Sequence, residues 1–201
     1  MVVISSELVK QLRDKTGAGM MDCKRALEES SGDIGLATEY LRKKGAAVAA
    51  KRAEKEANQG VVEAYIHAGG RIGAMVELNC ETDFVAKTAE FKQLAHDIAM
   101  QIAAMNPSYI SKEDVDDPTL QKELEIYKAQ AVNEGKKPDI AEKIAQGRLE
   151  KFYQEACLLE QSFIKDSGKT IKDLLSDATG KVGERIGVRR FQRYHLGEST
   201  K

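Results

Sequence analysis

Apolar positions recur at helical spacing over residues 5 to about 44. Leu8, Val9 and Leu12 form an i, i+1, i+4 stripe that predicts a helix starting near Ser5 or Ser6. It ends at Thr16-Gly17-Ala18-Gly19, where two glycines give the backbone freedom for a sharp turn. A second helix, from about Met20, places Cys23, Ala26 and Leu27 on one face and stops at Ser30-Ser31-Gly32. Asp33 is a candidate N-cap for a third, with an inner face of Leu36, Ala37, Tyr40 and Leu41. The basic turn Arg42-Lys43-Lys44 suits a helix C-terminus, and Gly45 is expected just beyond it. Three helices in so short a stretch predict a small bundle with a thin core, near the lower limit for independent folding.

The pattern then changes twice. Residues 46–58 are rich in Ala, Lys and Glu with almost no large apolar side chain, which predicts an exposed helical linker. From Gly60 the period drops to two. Val62, Ala64, Ile66 and Ala68 alternate with Val61, Glu63 and Tyr65; after Gly69-Gly70, Ile72, Ala74, Val76 and Leu78 alternate with Gly73, Met75, Glu77 and Asn79. This predicts an antiparallel hairpin with one apolar face buried and the other partly polar. Phe91, Leu94, Ala95, Ile98, Ile102 and Met105 predict a long helix, about Val85 to Met105, covering that apolar face.

Asn106-Pro107 ends this helix. Asp116-Asp117-Pro118 opens another that runs to about Asn133, with Leu120, Leu124 and Tyr127 in register. Glu134 to Lys137 form a turn, and Pro138 begins a partner helix carrying Ile140, Ala141, Ile144, Leu149, Phe152 and Tyr153. A helical hairpin results. Beyond it, Leu158-Leu159 and Ser162-Phe163-Ile164 predict extended chain, Thr170 to about Ala178 a short helix, and Gly180 to His195 a strand. The fold class is α+β, in three parts: a helical module over 1–45, a helical linker over 46–58, and a core domain over 59–201 in which helices cover an antiparallel sheet.

Composition narrows the function classes. The 201 residues carry a formal net charge of −1, so no overall field draws the chain to nucleic acid or an anionic membrane. No run approaches the ~20 apolar residues of a membrane span, and no signal peptide is evident at the start. Cys23, Cys80 and Cys157 are odd in number and scattered, matching neither a disulfide framework nor a zinc site, which favours a reducing, cytoplasmic setting.

Catalytic motifs are missing. There is no Walker loop, dinucleotide-binding glycine pattern or nucleophile elbow. His67, His96 and His195 have no metal-pair spacing, so no metal is expected. Asp116-Asp117 has a structural role at a helix start. Arg189, Arg190 and Arg193 interleave with Phe191 and Tyr194, a pattern that can grip a single strand of nucleic acid. Strand alternation divides these residues between two faces, so a charged sheet edge is the better reading and no direct nucleic-acid contact is expected.

Two stretches remain unexplained by packing. Met20 and Met21 are adjacent on a helix and cannot both face one thin core, so at least one should be outside. In Asn79-Cys80-Glu81-Thr82-Asp83-Phe84-Val85 a strand pattern stops and a helix begins, with Thr82 or Asp83 able to cap it. There Phe84 either closes the end of the core or projects from the helix mouth.

Both stretches match one family. Thr16 to Lys24 resembles the N-terminal signature of elongation factor Ts, and Glu77 to Ala86 resembles that family's second signature. Ile144 to Lys151, then Leu158-Leu159-Glu160-Gln161 and Phe163, form a third block in the same order. The resemblance implies a guanine-nucleotide exchange factor for elongation factor Tu that breaks no bond itself and needs no cofactor; GDP, GTP and Mg²⁺ belong to the partner. It implies that the first module is similar to ubiquitin-associated domains and contacts the GTPase through Met20 and Met21, shaped by Thr16, Gly17, Ala18 and Gly19. It assigns Thr82, Asp83, Phe84 and Val85 to partner binding and to dislodging the partner's Mg²⁺. The chain resembles the short form of the family, which can form a homodimer.

Overall fold

The structure, a computed structural model, describes residues 4–198. Three helices open the chain: α1 (Ser6–Thr16), α2 (Met20–Glu29) and α3 (Ile34–Arg52). Ser5 caps α1 by accepting from Leu8 N–H, and Asp33 caps α3 by accepting from Leu36 N–H. Their shared core holds Val9, Leu12, Cys23, Ala26, Leu27 and Ala37, flanked by Ile34, Tyr40 and Leu41. Leu36, expected inside, is 56% exposed; Ile34 takes the inner position instead.

The third helix does not stop at Gly45. It runs on to Arg52, seven residues further than the glycine, so the first half of the expected linker is its last turns. Gly45 serves a close approach. A Cβ at Gly180 would lie 2.6 Å from the Cα of Gly45, so the two backbones meet where neither residue has a side chain.

A hairpin follows, β1 (Gln59–Ile66) and β2 (Ile72–Cys80), and with β5 (Gly187–His195) it makes a three-stranded sheet in the order β1-β2-β5. Ala74, Val76, Leu78 and Cys80 of β2 are buried as expected. In β1 the faces are reversed: Val61, Glu63 and Tyr65 are half-buried, whereas Val62, Ala64 and Ile66 are exposed. The reason is a polar contact. Glu63 Oε1 lies 3.1 Å from His96 Nδ1, and Tyr65 packs edge-on against the same imidazole, on the helix above.

That helix is also divided. A single turn, α4 (Asp83–Ala86), precedes α5 (Ala89–Met105). Thr88 makes the break: its hydroxyl donates to Val85 O and accepts from Phe91 N–H, closing one helix and capping the next. Along α5, Ala95, Ile98, Ala99 and Ile102 are buried, and so is Gln101. The Gln101 amide donates to Gln161 Oε1 and Ser162 O and accepts from Ile164 N–H, so this polar group is satisfied inside.

The predicted helical hairpin is present as α6 (Asp117–Asn133) and α7 (Pro138–Ala156), capped by Asp116 through Thr119 N–H. Ile140, expected to pack, is exposed. Leu158–Glu160 form a 3-10 turn rather than extended chain, followed by the short antiparallel pair β3 (Ser162–Phe163) and β4 (Asp166–Thr170). The last helix, α8 (Ile171–Val182), is longer than predicted and ends at Gly183, whose φ of 73° ordinary residues avoid, so the final strand starts at Gly187 rather than Gly180.

The fold is α+β, as expected, and folds as two compact units. One contains the described residues up to Val61 with Asn79–Phe91 and Asp173–Gly187; the other contains Val62–Leu78, Lys92–Lys172 and the chain from Val188 onward. Among the described residues no helix is long and apolar enough to cross a membrane, and no group of three or more His, Cys, Asp or Glu residues could hold a metal ion.

Candidate functional site

The first unit carries both stretches that packing left unexplained. The earlier one is the turn between α1 and α2. Thr16 closes α1, its hydroxyl donating to Leu12 O at 2.7 Å and accepting from Ala18 N–H at 3.3 Å. Gly17 takes φ 66°, a left-handed conformation that costs residues with a Cβ roughly 1–2 kcal/mol. A side chain there would also meet Lys181, whose Nζ lies 3.0 Å from the position of a Cβ. Gly19 precedes α2 in extended conformation, and Ala18 O accepts from the buried Cys23 thiol. This anchored turn leaves Met20 47% and Met21 67% exposed. Asp22 on the same first turn is paired with Lys44 of α3.

The later stretch begins where β2 ends. Asn79 donates from its amide to Ala57 O, and the Cys80 thiol donates to Thr82 O. Burial first, and then the negative charge of Glu184, push that thiol up, which keeps its proton in place as a donor. Glu81 accepts from Arg185 N–H at 2.7 Å and from Arg52 Nη1 at 2.9 Å. Thr82, not Asp83, is the N-cap, although its bond from Val85 N–H is long at 3.5 Å. Glu184 holds Thr82 more firmly, accepting from its N–H at 3.0 Å and from its hydroxyl at 2.7 Å.

Asp83 is therefore the first residue of α4, where a carboxylate favours the helix dipole. It pairs with Lys87 one turn on, and that hydrogen bond holds its carboxyl below the usual carboxylate range. Val85 is half-buried and Ala86 fully buried, so the turn is rooted on that side. Phe84 points the other way and is 80% exposed, which removes the option that it closes the core. A ring this open beside an ionised carboxylate can enter a pocket of another molecule, with the charge acting at the rim.

The three histidines and the arginines of β5 are engaged elsewhere. His96 meets Glu63, His195 meets Glu198, and His67 meets the Tyr65 hydroxyl. Arg190 pairs with Glu77 at 2.7 Å, while Arg193 donates to Ala103 O and to Glu198. Cys23, Cys80 and Cys157 are all buried free thiols.

Comparison with known proteins gives this arrangement a context. A model of the family described as Elongation factor TS matches residues 36–198. A protein named Elongation factor Ts from Carboxydothermus hydrogenoformans is 61% identical over 98% of this chain and 90% of its own length. The chain belongs to the elongation factor Ts family. Relatives of the same name from Moorella thermoacetica and Caldanaerobacter subterraneus subsp. tengcongensis are each 60% identical over 98% of this chain and cover 97% and 98% of their own lengths.

Membership of the elongation factor Ts family places the chain among translation elongation factors. The matched region includes the Thr82–Val85 turn, and the relatives extend the similarity across the Thr16–Met21 turn. What the sequence alone left invisible is the support behind the later turn: Arg52, Glu184 and Arg185 lie 29 to 104 residues from the side chains they hold. Nothing in local periodicity identifies such partners.

Proposed function

We propose that this chain is a guanine-nucleotide exchange factor for elongation factor Tu, and that Asp83 and Phe84 carry the exchange step. The observation that supports this most is the orientation of Phe84, exposed on a one-turn helix whose other side is buried. The chain binds the GDP-bound GTPase, disturbs its Mg²⁺ and phosphate site, and promotes release of GDP and rebinding of GTP. Mg²⁺ and the phosphate loop hold the diphosphate in such GTPases. A protein that prefers the nucleotide-free state must weaken GDP, and GDP must weaken it by the same factor.

Magnitudes divide the work. Weakening a nucleotide ~10³-fold needs about 4 kcal/mol of coupling. Burying one Phe side chain supplies roughly 1.5–3 kcal/mol, so Phe84 is a principal anchor but needs help. Asp83 contributes at the polar rim, where its charge competes for contacts around the partner's Mg²⁺. Thr82 and Val85 hold the turn. Met20 and Met21 add apolar contact through the first module, with Thr16, Gly17 and Gly19 shaping their loop.

The chain breaks no bond in this cycle and needs no cofactor; the nucleotides and the Mg²⁺ are the partner's. The setting is cytoplasmic. Homodimerisation is part of the same reading, supported by an uncovered apolar sheet face in the second unit. Catalytic amounts of the chain should accelerate release of labelled GDP from elongation factor Tu. Phe84→Ala should lower that acceleration roughly tenfold or more, as loss of a buried aromatic anchor does, while the thermal midpoint hardly moves because the ring is 80% exposed in the free chain. Unaltered exchange by Phe84→Ala would remove Phe84 from the mechanism.

A further inference from the structure

We infer that Glu184 is a positioning residue for Phe84: from the turn between α8 and β5 it holds Thr82 and so sets the direction in which Phe84 leaves the surface. The inference rests on the exchange reading above and deepens it by naming what aims the ring.

The turn that carries Phe84 cannot aim itself. It has four helical residues, and a single turn is unfavourable in isolation because fixing its dihedrals yields too few hydrogen bonds. Its own cap is weak, with 3.5 Å between Val85 N and Thr82 Oγ1. Glu184 supplies what the cap does not. Each of its carboxylate oxygens accepts one bond from Thr82, Oε2 from the backbone N–H and Oε1 from the hydroxyl, at 3.0 and 2.7 Å. A two-point grip on one residue fixes rotation as well as position.

The grip is reciprocal. Glu81, next to Thr82, accepts from the backbone N–H of Arg185, next to Glu184. Each segment therefore offers a carboxylate to the other's main chain, and the two are clasped side by side. Arg52 holds the other oxygen of Glu81, Oε2, and Arg185 donates from its guanidinium to Lys55 O. Behind the clasp, α8 is seated against α3 at Gly180 and Gly45, and Lys181 lies beside Gly17. The six residues from Gly180 to Arg185 thus touch the supports of both exposed loops.

The consequence for exchange is preorganisation. An exposed ring on a mobile turn would have to be ordered at the moment of docking, at a cost in free energy. A clasped turn presents it already oriented. Removing the clasp therefore affects the step in which Phe84 is driven into the GTPase, more than the first encounter, which Met20 and Met21 also serve.

The test uses the full chain with elongation factor Tu and labelled GDP. Glu184→Gln is isosteric but offers one acceptor oxygen where two are used. Its kcat for GDP release should fall roughly tenfold while KM moves less than about twofold, the split expected when an interaction matters mainly beyond the encounter. Adding Glu184→Gln to Thr82→Val should cost less than it does alone, since both act through one contact. Amide hydrogen exchange on the free chain should quicken at Thr82 and Val85, whose N–H groups bond to Glu184 and to the Thr82 hydroxyl, in Glu184→Gln and stay unchanged at Ile98.

Wild-type kcat in Glu184→Gln, or a loss of kcat accompanied by faster amide exchange throughout the first unit, overturns the inference and leaves the exchange reading standing. A wild-type chain that fails to accelerate GDP release defeats the exchange reading itself, and the inference with it.

Discussion

Asp83 is ionised for a local reason. Lys87 sits four residues on, one helical turn away, and its ammonium donates to the Asp83 carboxylate. The donated bond lowers the carboxyl's pKa first and the lysine's charge lowers it further. The sign follows from linkage: a carboxyl depressed in the folded chain stays ionised as pH falls through the ordinary carboxylate range, and the pair is lost only below it. Lys87→Ala should therefore raise the Asp83 titration midpoint toward the ordinary value, read by NMR on the carboxyl carbon. The group is exposed, so global stability should hardly respond. At this scale much of the site was legible. Met20 and Met21 stand out because adjacent helix positions cannot both join one thin core, whereas Phe84 has two readings in sequence, closing the core or projecting; all three are exposed. Which of Thr82 and Asp83 caps the turn was not legible, since both side chains can accept from a first-turn N–H. Glu184 decides it by gripping Thr82 and leaving Asp83 to Lys87.

Two glycines inside helices make opposite predictions at the scale of elements. Gly147 lies within α7 with open space where a Cβ would go, whereas a Cβ at Gly180 in α8 would approach Gly45 Cα to 2.6 Å. Glycine in a helix interior costs roughly 0.5–1 kcal/mol relative to alanine. Gly147→Ala should recover about that much, seen as a higher urea midpoint with unchanged slope. Gly180→Ala should instead lower the midpoint, because backbone rather than a flexible side chain occupies the space. The same contrast explains where pattern reading succeeded. Helices with long apolar stripes, such as α5 and α7, were found because burial repeats at their own period. The end of α3 was misplaced because a glycine at a helix–helix contact looks, in sequence, like one that terminates a helix. The face of β1 was inverted because both of its faces carry apolar residues, and a Glu63–His96 contact 33 positions apart chose between them.

For the molecule as a whole, that inverted strand leaves an apolar surface uncovered. Val62, Ala64 and Ile66 of β1 face outward beside Met75 of β2, and Ile66 lies flat across Gly73, where a Cβ would come within 2.6 Å of its Cδ1. On β5 the Arg190–Glu77 pair marks the same side, and alternation brings Gln192 and the exposed Tyr194 onto it; Arg193, one step out of phase, reaches back to Ala103 O on α5. The face carries both signs of charge, since Arg189 and Arg190 both lie within pairing distance of Glu77. A surface that is apolar at its centre and carries both signs at its rim can set the Glu77 of one copy against an arginine of the other, the self-complementarity that a two-fold interface requires. The proposed homodimer should close here. Met75→Glu places a carboxylate in the centre of each facing surface, and two such groups would be desolvated together on association. Sedimentation equilibrium should then find a dimer for the unaltered chain and a monomer for the variant, with far-UV circular dichroism unchanged because Met75 is already exposed in the single chain. A dimer that survives Met75→Glu would place the contact elsewhere on the chain.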